Sequence, residues 1–345
     1  MKKSYIILVT TLTLAACSNQ TPYDHGNEPI ANNIALRATV EEIEVATRSE
    51  VTPFTGRVSS ANPLNAEVWF SFDANTYDNA PQSPTWLPIH STINFRGEVV
   101  DPKPYTDASD EEHPLKYPTG TDSDKKVYCV GLAPVSVDGS RWESTDNKVA
   151  TRPINGKEDL MFAPRIEGTW RQRFEIQQYE HLLTWVKINI IATSTEAIES
   201  WGKVKRIAII SNDGVEVTLG SGVIDYTDTF TELEVISTTE PAVDLSTVIT
   251  PIGSTLSSPP TSTTTLDNDD NTLAYRVKVT TELGGDKEIS VGITDFEDNA
   301  ISTADRTVTC GKLYILELRF NEYDIVNGVC TLNSWQNQNE NIYLQ

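Results

Sequence analysis

The stretch IALRATVEEIEVATRSEV, residues 34–51, begins as a β-strand and continues into a segment of small and charged residues. Four apolar residues at alternate positions share one face of it: Ile34, Leu36, Ala38 and Val40. This period of two is typical of a strand with one buried face. The alternation loses its register at residues 41–42, and the chain then reaches Arg48 among small polar residues. A buried strand is therefore predicted to lead into a segment that a protease can cut.

The composition indicates a globular chain with a strongly acidic surface. It has 345 residues, of which 38% are hydrophobic and 22% charged, and its formal net charge at pH 7 is −22. A chain of this length suits two domains, and the composition is not that of a disordered protein. Because a surface with this charge repels phosphate backbones, nucleic acid is not expected as a partner.

The N-terminus carries an export signal. Lys2 and Lys3 precede the apolar run YIILVTTLTLAA, which is too short to span a bilayer and suits the core of a signal peptide. The run ends in Leu-Ala-Ala before Cys17 and matches the bacterial lipobox, in which the cysteine is lipidated and becomes the new N-terminus. Residues 1–17 are therefore predicted to be a lipoprotein signal peptide that ends at the lipidated cysteine of an outer-membrane precursor. The alternative is an ordinary secretory signal with a chance cysteine.

Strand patterns dominate the rest of the chain. AEVWFSF near residues 67–72, KKVYCVGLAPVSV at 125–137 and KLYILELRF at 312–320 all read as core strands, and turn residues separate them. Residues 74–123 and 253–272 are rich in Pro, Ser, Thr and Asp and read as loops. The sequence predicts an all-β fold of two β-sandwich domains, 18–166 and 167–345, with long loops and little helix.

Two hairpins and one helix are predicted in the C-terminal half. The hairpins turn at Asp213–Gly214 and at Gly284–Gly285. Thr193 and Glu196 have the spacing of a capping box, which predicts a short helix that ends at Gly202. Three strands show apolar faces, formed by Leu273, Tyr275, Val277 and Val279, by Ile289, Val291 and Ile293, and by Tyr314, Leu316, Leu318 and Phe320.

No enzymatic motif stands out. The four histidines have no metal-ligand spacing, and neither a G-x-S-x-G elbow nor a phosphate-binding loop occurs. The acidic tract at 267–271 has Thr272 and Lys278 where a calcium loop needs Gly and Glu. We expect no catalytic residue, no metal and no cofactor, and an envelope hydrolase with a site assembled from distant residues is the weakest alternative.

Tryptophans and cysteines leave two alternatives open. Trp69, Trp185 and Trp335 lie within strand patterns and are expected in the core, whereas Trp86 and Trp142 lie in loop-like sequence. If the latter two are exposed, they favour a permanently anchored outer-membrane lipoprotein that binds glycans. Cys310 and Cys330 flank a strand and could form a disulfide, with free thiols as the alternative.

Several stretches resemble the fimbrillins, the lipoprotein subunits of type V pili. They are the lipobox at Cys17, the strand that ends near Arg48, and the motifs GKEDLMFAP (156–164), YEHLLTWVKINI (179–190), WGKVKRIAII (201–210) and GKLYILELRF with GVCTLNSW. Each motif is loose, but together they cover most of the chain from residue 17 to residue 345. The resemblance implies two transthyretin-like β-sandwich domains and a structural subunit of an adhesive surface fimbria, with no enzymatic activity.

The resemblance also implies how the chain is processed. An arginine-specific surface protease would cut the Arg48–Ser49 bond and release the lipid together with the first strand, about Ile34–Val45. The emptied groove would then accept the C-terminal strand of another pilus subunit. In this chain the donor would be about Val329–Leu344, including Val329, Leu332, Trp335, Ile342 and Leu344, although these residues do not keep one clean period. Arg37 and Arg57 are the alternative cut sites.

Overall fold

The structure is a computed structural model, and it describes residues 33–40, 53–54, 57–72, 90–102, 115–135, 142–144, 148–174, 176–260, 265–266, 269–293 and 310–333. The N-terminal half contributes β1 (Arg37–Val40), β2 (Leu64–Ser71), β3 (His90–Phe95), β4 (Val127–Ala133), β5 (Val149–Pro153), β6 (Met161–Gly168) and β7 (Ile176–His181). The first elements of the C-terminal half are β8 (Thr184–Ala192), α1 (Thr195–Trp201), β9 (Val204–Asn212), β10 (Gly214–Thr218), β11 (Ile224–Tyr226) and β12 (Phe230–Ile236). They are followed by β13 (Thr250–Ser257), β14 (Thr265–Leu266), β15 (Asp269–Thr281), β16 (Gly285–Gly292), β17 (Leu313–Phe320) and β18 (Ile325–Asn333). The all-β prediction is confirmed.

The strands form four sheets. A six-stranded sheet has the order β1-β7-β6-β4-β2-β3, and a three-stranded sheet has the order β11-β10-β5. A five-stranded sheet contains β12-β9-β15-β14 with β16 on β15, and a four-stranded sheet has the order β13-β8-β17-β18. Most pairs are antiparallel; β1 with β7 and β8 with β17 are parallel.

The C-terminal half is a β-sandwich. Its four- and five-stranded sheets share one cluster of buried residues, to which β8, β9, β15 and β17 contribute. The three apolar faces predicted for β15, β16 and β17 are all buried. Burial of such continuous apolar faces is the main favourable contribution to folding of this half.

In the six-stranded sheet of the N-terminal half, β2 and β4 are buried on both faces. One face carries Ala66, Val68 and Phe70 and is covered by the first strand and by nearby segments. The other face carries Trp69, Val130 and Leu132 and packs in one cluster with residues of β5 and β10. Since β5 comes from the N-terminal half and β10 from the C-terminal half, the three-stranded sheet connects the two halves of the chain.

The chain moves from the six-stranded sheet to the four-stranded sheet between His181 and Thr184. Residue 166, the predicted domain boundary, lies inside β6. β7 follows that boundary in sequence, yet it pairs with β1 and β6 of the first sheet. The pairing of strands thus assigns residues 167–181 to the same sheet as the N-terminal strands.

The predicted hairpin at Asp213–Gly214 is wrong. β9 and β10 are adjacent in sequence but belong to different sheets, because β10 pairs with β5 and β11. At the corner Thr227 Oγ1 donates to Asp213 Oδ1 at 2.5 Å, and the Gly214 N–H donates to Thr227 Oγ1 at 3.0 Å. These bonds, with the Ile154 N–H donating to the Asp213 carbonyl at 2.8 Å, fix a corner where a tight turn was expected. The hairpin at Gly284–Gly285 is confirmed as β15–β16, with Gly285 at φ 69°.

The predicted helix is present with a different cap. Ser194, one residue after the expected Thr193, is the N-cap of α1, and its side chain accepts from the Ala197 N–H at 3.1 Å. The Thr193 hydroxyl instead donates to the Phe320 carbonyl at 3.1 Å. Gly202 ends the helix at φ 65°, as predicted. Within the part of the chain that the structure describes, no helix is both long and apolar enough to cross a membrane.

Candidate functional site

The first strand fills a groove in the N-terminal half. Ile34, Leu36, Ala38 and Val40 are all buried, so the alternation read from the sequence is confirmed. They belong to one apolar cluster with residues of β2, β3, β4, β6 and β7. Ala35 and Thr39 alternate with them and are half-buried and exposed. One face of an eight-residue segment therefore completes the core of this half.

The main chain of this segment is bonded on two sides. Residues 37–40 pair in parallel with residues 176–179 of β7. Before them, Leu36 and Val100 exchange two hydrogen bonds of 2.9 and 2.8 Å, and the Ile34 N–H donates to the Leu115 carbonyl at 2.8 Å. The segment is thus held by both burial and main-chain pairing, and its removal would leave unpaired groups on both walls of the groove.

The outer half of β7 depends on the first strand. β7 meets β6 at only two residue pairs, Met161 with His181 and Phe162 with Glu180. Its four residues from Ile176 to Tyr179 form their ladder with β1. A strand paired in this way along one edge loses its ladder when that partner leaves.

A polar cluster lies under the first strand. Gln177, which pairs with Ala38, donates from Nε2 to the Cys129 Sγ at 3.0 Å and accepts at Oε1 from the Tyr179 hydroxyl at 3.1 Å. Burial raises the pKa of the Cys129 thiol well above its usual range, against the bond from Gln177. Burial, with a further contribution from Cys129, also raises the pKa of Tyr179 well above its usual range. Both groups therefore keep their protons at neutral pH, and the cluster is uncharged.

The first strand is paired with β7 up to Val40, and the chain is next bonded at Phe54, to Asp159. The Phe54 N–H donates to Asp159 Oδ2 at 2.7 Å, and the same oxygen lies 2.8 Å from His181 Nδ1. Val40 is opposite Tyr179, and His181, which bonds Asp159, lies two residues or about 7 Å further along β7. The twelve residues from 41 to 52, which lie between the two attachment points Val40 and Phe54, could span about 40 Å when extended.

The three candidate arginines differ in their surroundings. Arg48 and Ser49 lie outside the described residues, in the segment between the two attachment points. Arg37 is the first residue of β1 and is paired with Ile176, where a strand ladder withholds its main chain from a protease. Arg57 is exposed, but it lies between the bonded Phe54 and the buried Val58.

The predicted donor segment begins within a strand. Val329 and Leu332 belong to β18, which lies at the edge of the four-stranded sheet and pairs with β17 along its length. Trp335, Ile342 and Leu344 lie outside the described residues, as does Cys17. β18 ends at Asn333 opposite Leu313, and Gly311, just before β17, packs against the His181 ring. The end of β18 therefore lies close to the end of β7.

Of the two alternatives left open for the cysteines, the structure has Cys310 as a free thiol. Its Sγ lies 3.1 Å from the Leu182 carbonyl and 3.2 Å from the Tyr226 hydroxyl. Burial raises the pKa of Cys310, against the bond to Tyr226, and it raises the pKa of Tyr226 well above its usual range. The thiol is therefore a packed, protonated group in this structure.

The tryptophan prediction is partly wrong. Trp142, one of the two candidates for exposure, is 4% exposed and packs in the cluster that joins β4, β5 and β10. The segment around it bridges to β5 through a Glu143–Thr151 pair, which carries the side chain inward. Trp69 and Trp185 are buried as expected, whereas Trp86 and Trp335 lie outside the described residues. Among the described residues, no group of three His, Cys, Asp or Glu side chains could hold a metal ion.

Two features of the site were not predicted from the sequence. The segment around Val100 and Leu115, which bonds the first strand, lies in sequence that reads as loop. Asp159 and His181 are 22 positions apart and belong to two motifs of the fimbrillin resemblance, GKEDLMFAP and YEHLLTWVKINI. Their shared presence in those motifs was the one signal that could have paired them.

Comparisons with known proteins give distant structural matches. No protein-family model matches the sequence, and no curated protein matches it. The structure is similar to those of proposed cell adhesion proteins from Bacteroides uniformis (12% identity, TM-score 0.45, 88% of this chain and 100% of that one) and Bacteroides ovatus (11%, 0.48, 90% and 99%). It is also similar to a fimbrial assembly protein from Parabacteroides distasonis (14%, 0.41, 85% and 93%). All three matches have a TM-score below 0.5 and less than 15% sequence identity.

Proposed function

We propose that this chain is a structural subunit of an adhesive surface pilus. In this proposal the chain is exported as a lipoprotein through Cys17, cut at Arg48–Ser49 by an arginine-specific surface protease, and polymerised by strand exchange with other pilus subunits. The outer membrane holds the precursor through its lipid until the cut is made. No step requires a catalytic residue or a cofactor of its own.

The burial and pairing of the first strand carry the proposal. A segment whose four apolar side chains complete a core is ordinarily a permanent part of its domain. Here it is followed by a stretch with an arginine between two attachment points, Val40 on β7 and Phe54 on Asp159. One cut in that stretch would free the strand from the rest of the domain and leave a groove with exposed apolar residues and unpaired main-chain groups. Such a groove is suited to an incoming strand.

The donor is proposed to come from the C-terminus of another copy or of a related subunit, about Val329–Leu344. The part of this segment that lies in β18 is an edge strand, and among the described strands it is hydrogen-bonded to β17 alone. Edge strands can pair with another chain at low cost. The residues that follow β18 supply the rest of the donor.

The structure removes one of the two residues on which the glycan-binding alternative depends. This alternative expected an exposed aromatic pair, Trp86 and Trp142, and the burial of Trp142 removes half of that pair. No other observation among the described residues favours it.

The test is the N-terminus and the mass of the protein recovered from the surface of its native cells. A chain that starts at Ser49 and migrates as a denaturant-resistant ladder is the expected result. An Arg48→Ala variant is the matched control, and it should remain a lipidated monomer that starts at Cys17. If the unaltered protein also starts at Cys17 and stays monomeric, the proposal is wrong.

A further inference from the structure

A buried hydrogen bond between Asp159 and His181 holds the chain just after the proposed cut. The His181 Nδ1 lies 2.8 Å from Asp159 Oδ2, and these residues are only 5% and 7% exposed. The same carboxylate oxygen accepts from the Phe54 N–H at 2.7 Å. The three residues come from distant parts of the chain. Phe54 lies in the N-terminal segment, Asp159 lies two residues before β6, and His181 is the last residue of β7. Hydrogen bonds to a buried charged group are stronger than average and costly to lose.

Beyond Phe54 the chain is fixed again within a few residues. Val58 is buried in the core of the N-terminal half, and Gly97 packs so closely that a Cβ there would lie 2.7 Å from the Val58 carbonyl oxygen. The Asn62 side chain approaches the Arg57 carbonyl at 3.5 Å. Arg57 therefore has an exposed side chain, while the main chain is bonded at Phe54 and packed at Val58.

We infer that the Asp159–His181 pair is a positioning device that selects the cut site. It clamps the chain at Phe54 and thereby withholds Arg57 from the arginine-specific protease, so that Arg48 is used. The inference rests on the proposed maturation and adds the residues that set its boundary. Asp159 and His181 act through Phe54 and touch no substrate atom.

The physical reason is that a protease binds several residues on either side of the bond in an extended form. Such a conformation requires local unfolding of an ordered segment, and the free energy of that opening limits cleavage. Arg57 is three residues from Phe54, so a bond that fixes Phe54 also opposes the opening needed at Arg57. Segment 41–52 has its two attachment points at its ends and Arg48 well inside it.

The choice of site has a consequence for the groove. Phe54 packs against the same apolar cluster as the first strand. A cut at Arg57 would release Phe54 together with the first strand, and the emptied groove would then lack the Phe54 side chain as part of its wall. A cut at Arg48 leaves Phe54 bonded to Asp159, which keeps the groove in shape for the next strand.

The experiment is native limited proteolysis of the full chain with an arginine-specific protease, followed by intact mass and N-terminal sequencing. We expect wild type to yield a chain that starts at Ser49 and very little that starts at Val58. Asp159→Ala should give the Val58 product about tenfold faster or more, since a buried bond to a charged group is lost. Asp159→Asn, which keeps an acceptor oxygen, should give a smaller increase. Asp122→Asn, which removes an exposed carboxylate paired with Lys125, should leave the ratio of products unchanged.

Cleavage after Arg206 reports global unfolding, because it lies within β9 and is followed by the fully buried Ile207. If Asp159→Ala is also cut after Arg206, a second pair of variants tests the clamp. Phe54→Ala and Phe54→Pro both lose the phenyl ring. Only Phe54→Pro also loses the main-chain N–H that bonds Asp159. Faster cleavage at Arg57 in Phe54→Pro alone supports the clamp, and equal rates in the two variants overturn it.

Wild-type rates at Arg57 in a folded Asp159→Ala variant would also overturn the inference. The clamp is judged by the rate at Arg57 alone. An absence of cleavage after Arg48 in every variant would instead overturn the proposed maturation, so the two failures are distinguishable.

Discussion

Leu36 shows how much a single residue of the first strand contributes. It is fully buried in the core of the N-terminal half, and its main chain exchanges two hydrogen bonds with Val100. Leu36→Ala should lower the free energy of unfolding of the precursor by about 2–4 kcal/mol, because a buried side chain is lost and a cavity remains. Urea unfolding of the uncut chain measures this. Thr39→Ala, on the exposed face of the same strand, is the control and should change stability by less than about 0.5 kcal/mol.

Cys129 offers a chemical report on the groove. Its thiol is buried, its pKa is raised by that burial, and it bonds Gln177, the partner of Ala38 in the ladder. In a Cys310→Ser, Cys330→Ser background we expect a thiol reagent to label Cys129 slowly in the precursor, because the reactive species is the thiolate. Release of the first strand should admit water, lower the pKa toward its ordinary value and speed labelling at least about tenfold. Equal labelling before and after the cut would show that the strand does not cover this cluster.

At the residue scale the sequence predicted what depends on near neighbours. The shared buried face of Ile34, Leu36, Ala38 and Val40 can be predicted directly from their alternation, because side chains two positions apart in a strand share a face. The burial of Trp142 and the pairing of Asp159 with His181 could not be read in the same way. Both depend on contacts between residues that are far apart in the sequence.

At the scale of elements, the first strand and β7 support each other. Residues 176–179 of β7 form their ladder with β1, whereas β6 meets β7 at only two pairs. We expect amide hydrogens of residues 177–179 to exchange much faster once the strand has been cut and released, by about a hundredfold or more, since they lose their ladder. Hydrogen exchange with mass spectrometry measures this. Residues 128–132 of β4, paired on both sides within the sheet, are the internal control and should change little.

The wrong hairpin shows the limit of local signals at this scale. An Asp-Gly pair between two apolar alternations is a strong hairpin signal. Here β10 finds a better partner in β5, more than sixty residues earlier, and Val215 and Val217 are buried against the outer face of the six-stranded sheet. The turn at Gly284–Gly285 was predicted correctly because β15 and β16 have matching apolar faces toward one core. A turn motif fixes a change of direction, and packing decides which strands then pair.

The corner itself is testable through Asp213. Its pKa is lowered chiefly by the hydroxyl of Thr227, which donates to the carboxylate, and then by Thr229. Because the folded-state pKa lies below the unfolded value, this contribution to stability is present above about pH 4 and is lost as the pH falls further. Asp213→Ala should therefore destabilise the chain at pH 7 by about 1 kcal/mol and by less at pH 3, as thermal unfolding at the two pH values will show. An equal loss of stability at both pH values would show that the ionisation of Asp213 does not cause the effect.

For the whole molecule, the buried thiols and phenols predict sensitivity to alkali. Burial raises the pKa of Cys129, Cys310, Tyr179 and Tyr226 in the folded state. The unfolded chain gives up these protons at about pH 8.5 for the thiols and about pH 10 for the phenols, whereas the folded chain keeps them. The free energy of unfolding should therefore fall as pH rises above about 8.5 and more steeply above 10. Urea unfolding at pH 7, 9 and 10.5 tests this, and Cys129→Ala should remove part of the first decrease.

Assembly is the property that only the whole molecule can have, and the position of β18 makes its test sharp. β18 pairs with β17 up to Asn333, so a chain that ends at Asn333 keeps every described strand of the sandwich. If the residues after β18 are a necessary part of the donor, this truncated chain should still be cut at Arg48 and expose its groove, yet form no ladder in denaturant. The full-length chain with Arg48→Ala is the complementary control, because it has a complete donor and an occupied groove, and it should also remain a monomer. Mixing the two should give a dimer but no ladder, since one chain offers only a groove and the other only a donor. A ladder from the truncated chain alone would mean that the donor ends within β18 or lies elsewhere, and the strand-exchange assignment would then pass to another edge of the molecule.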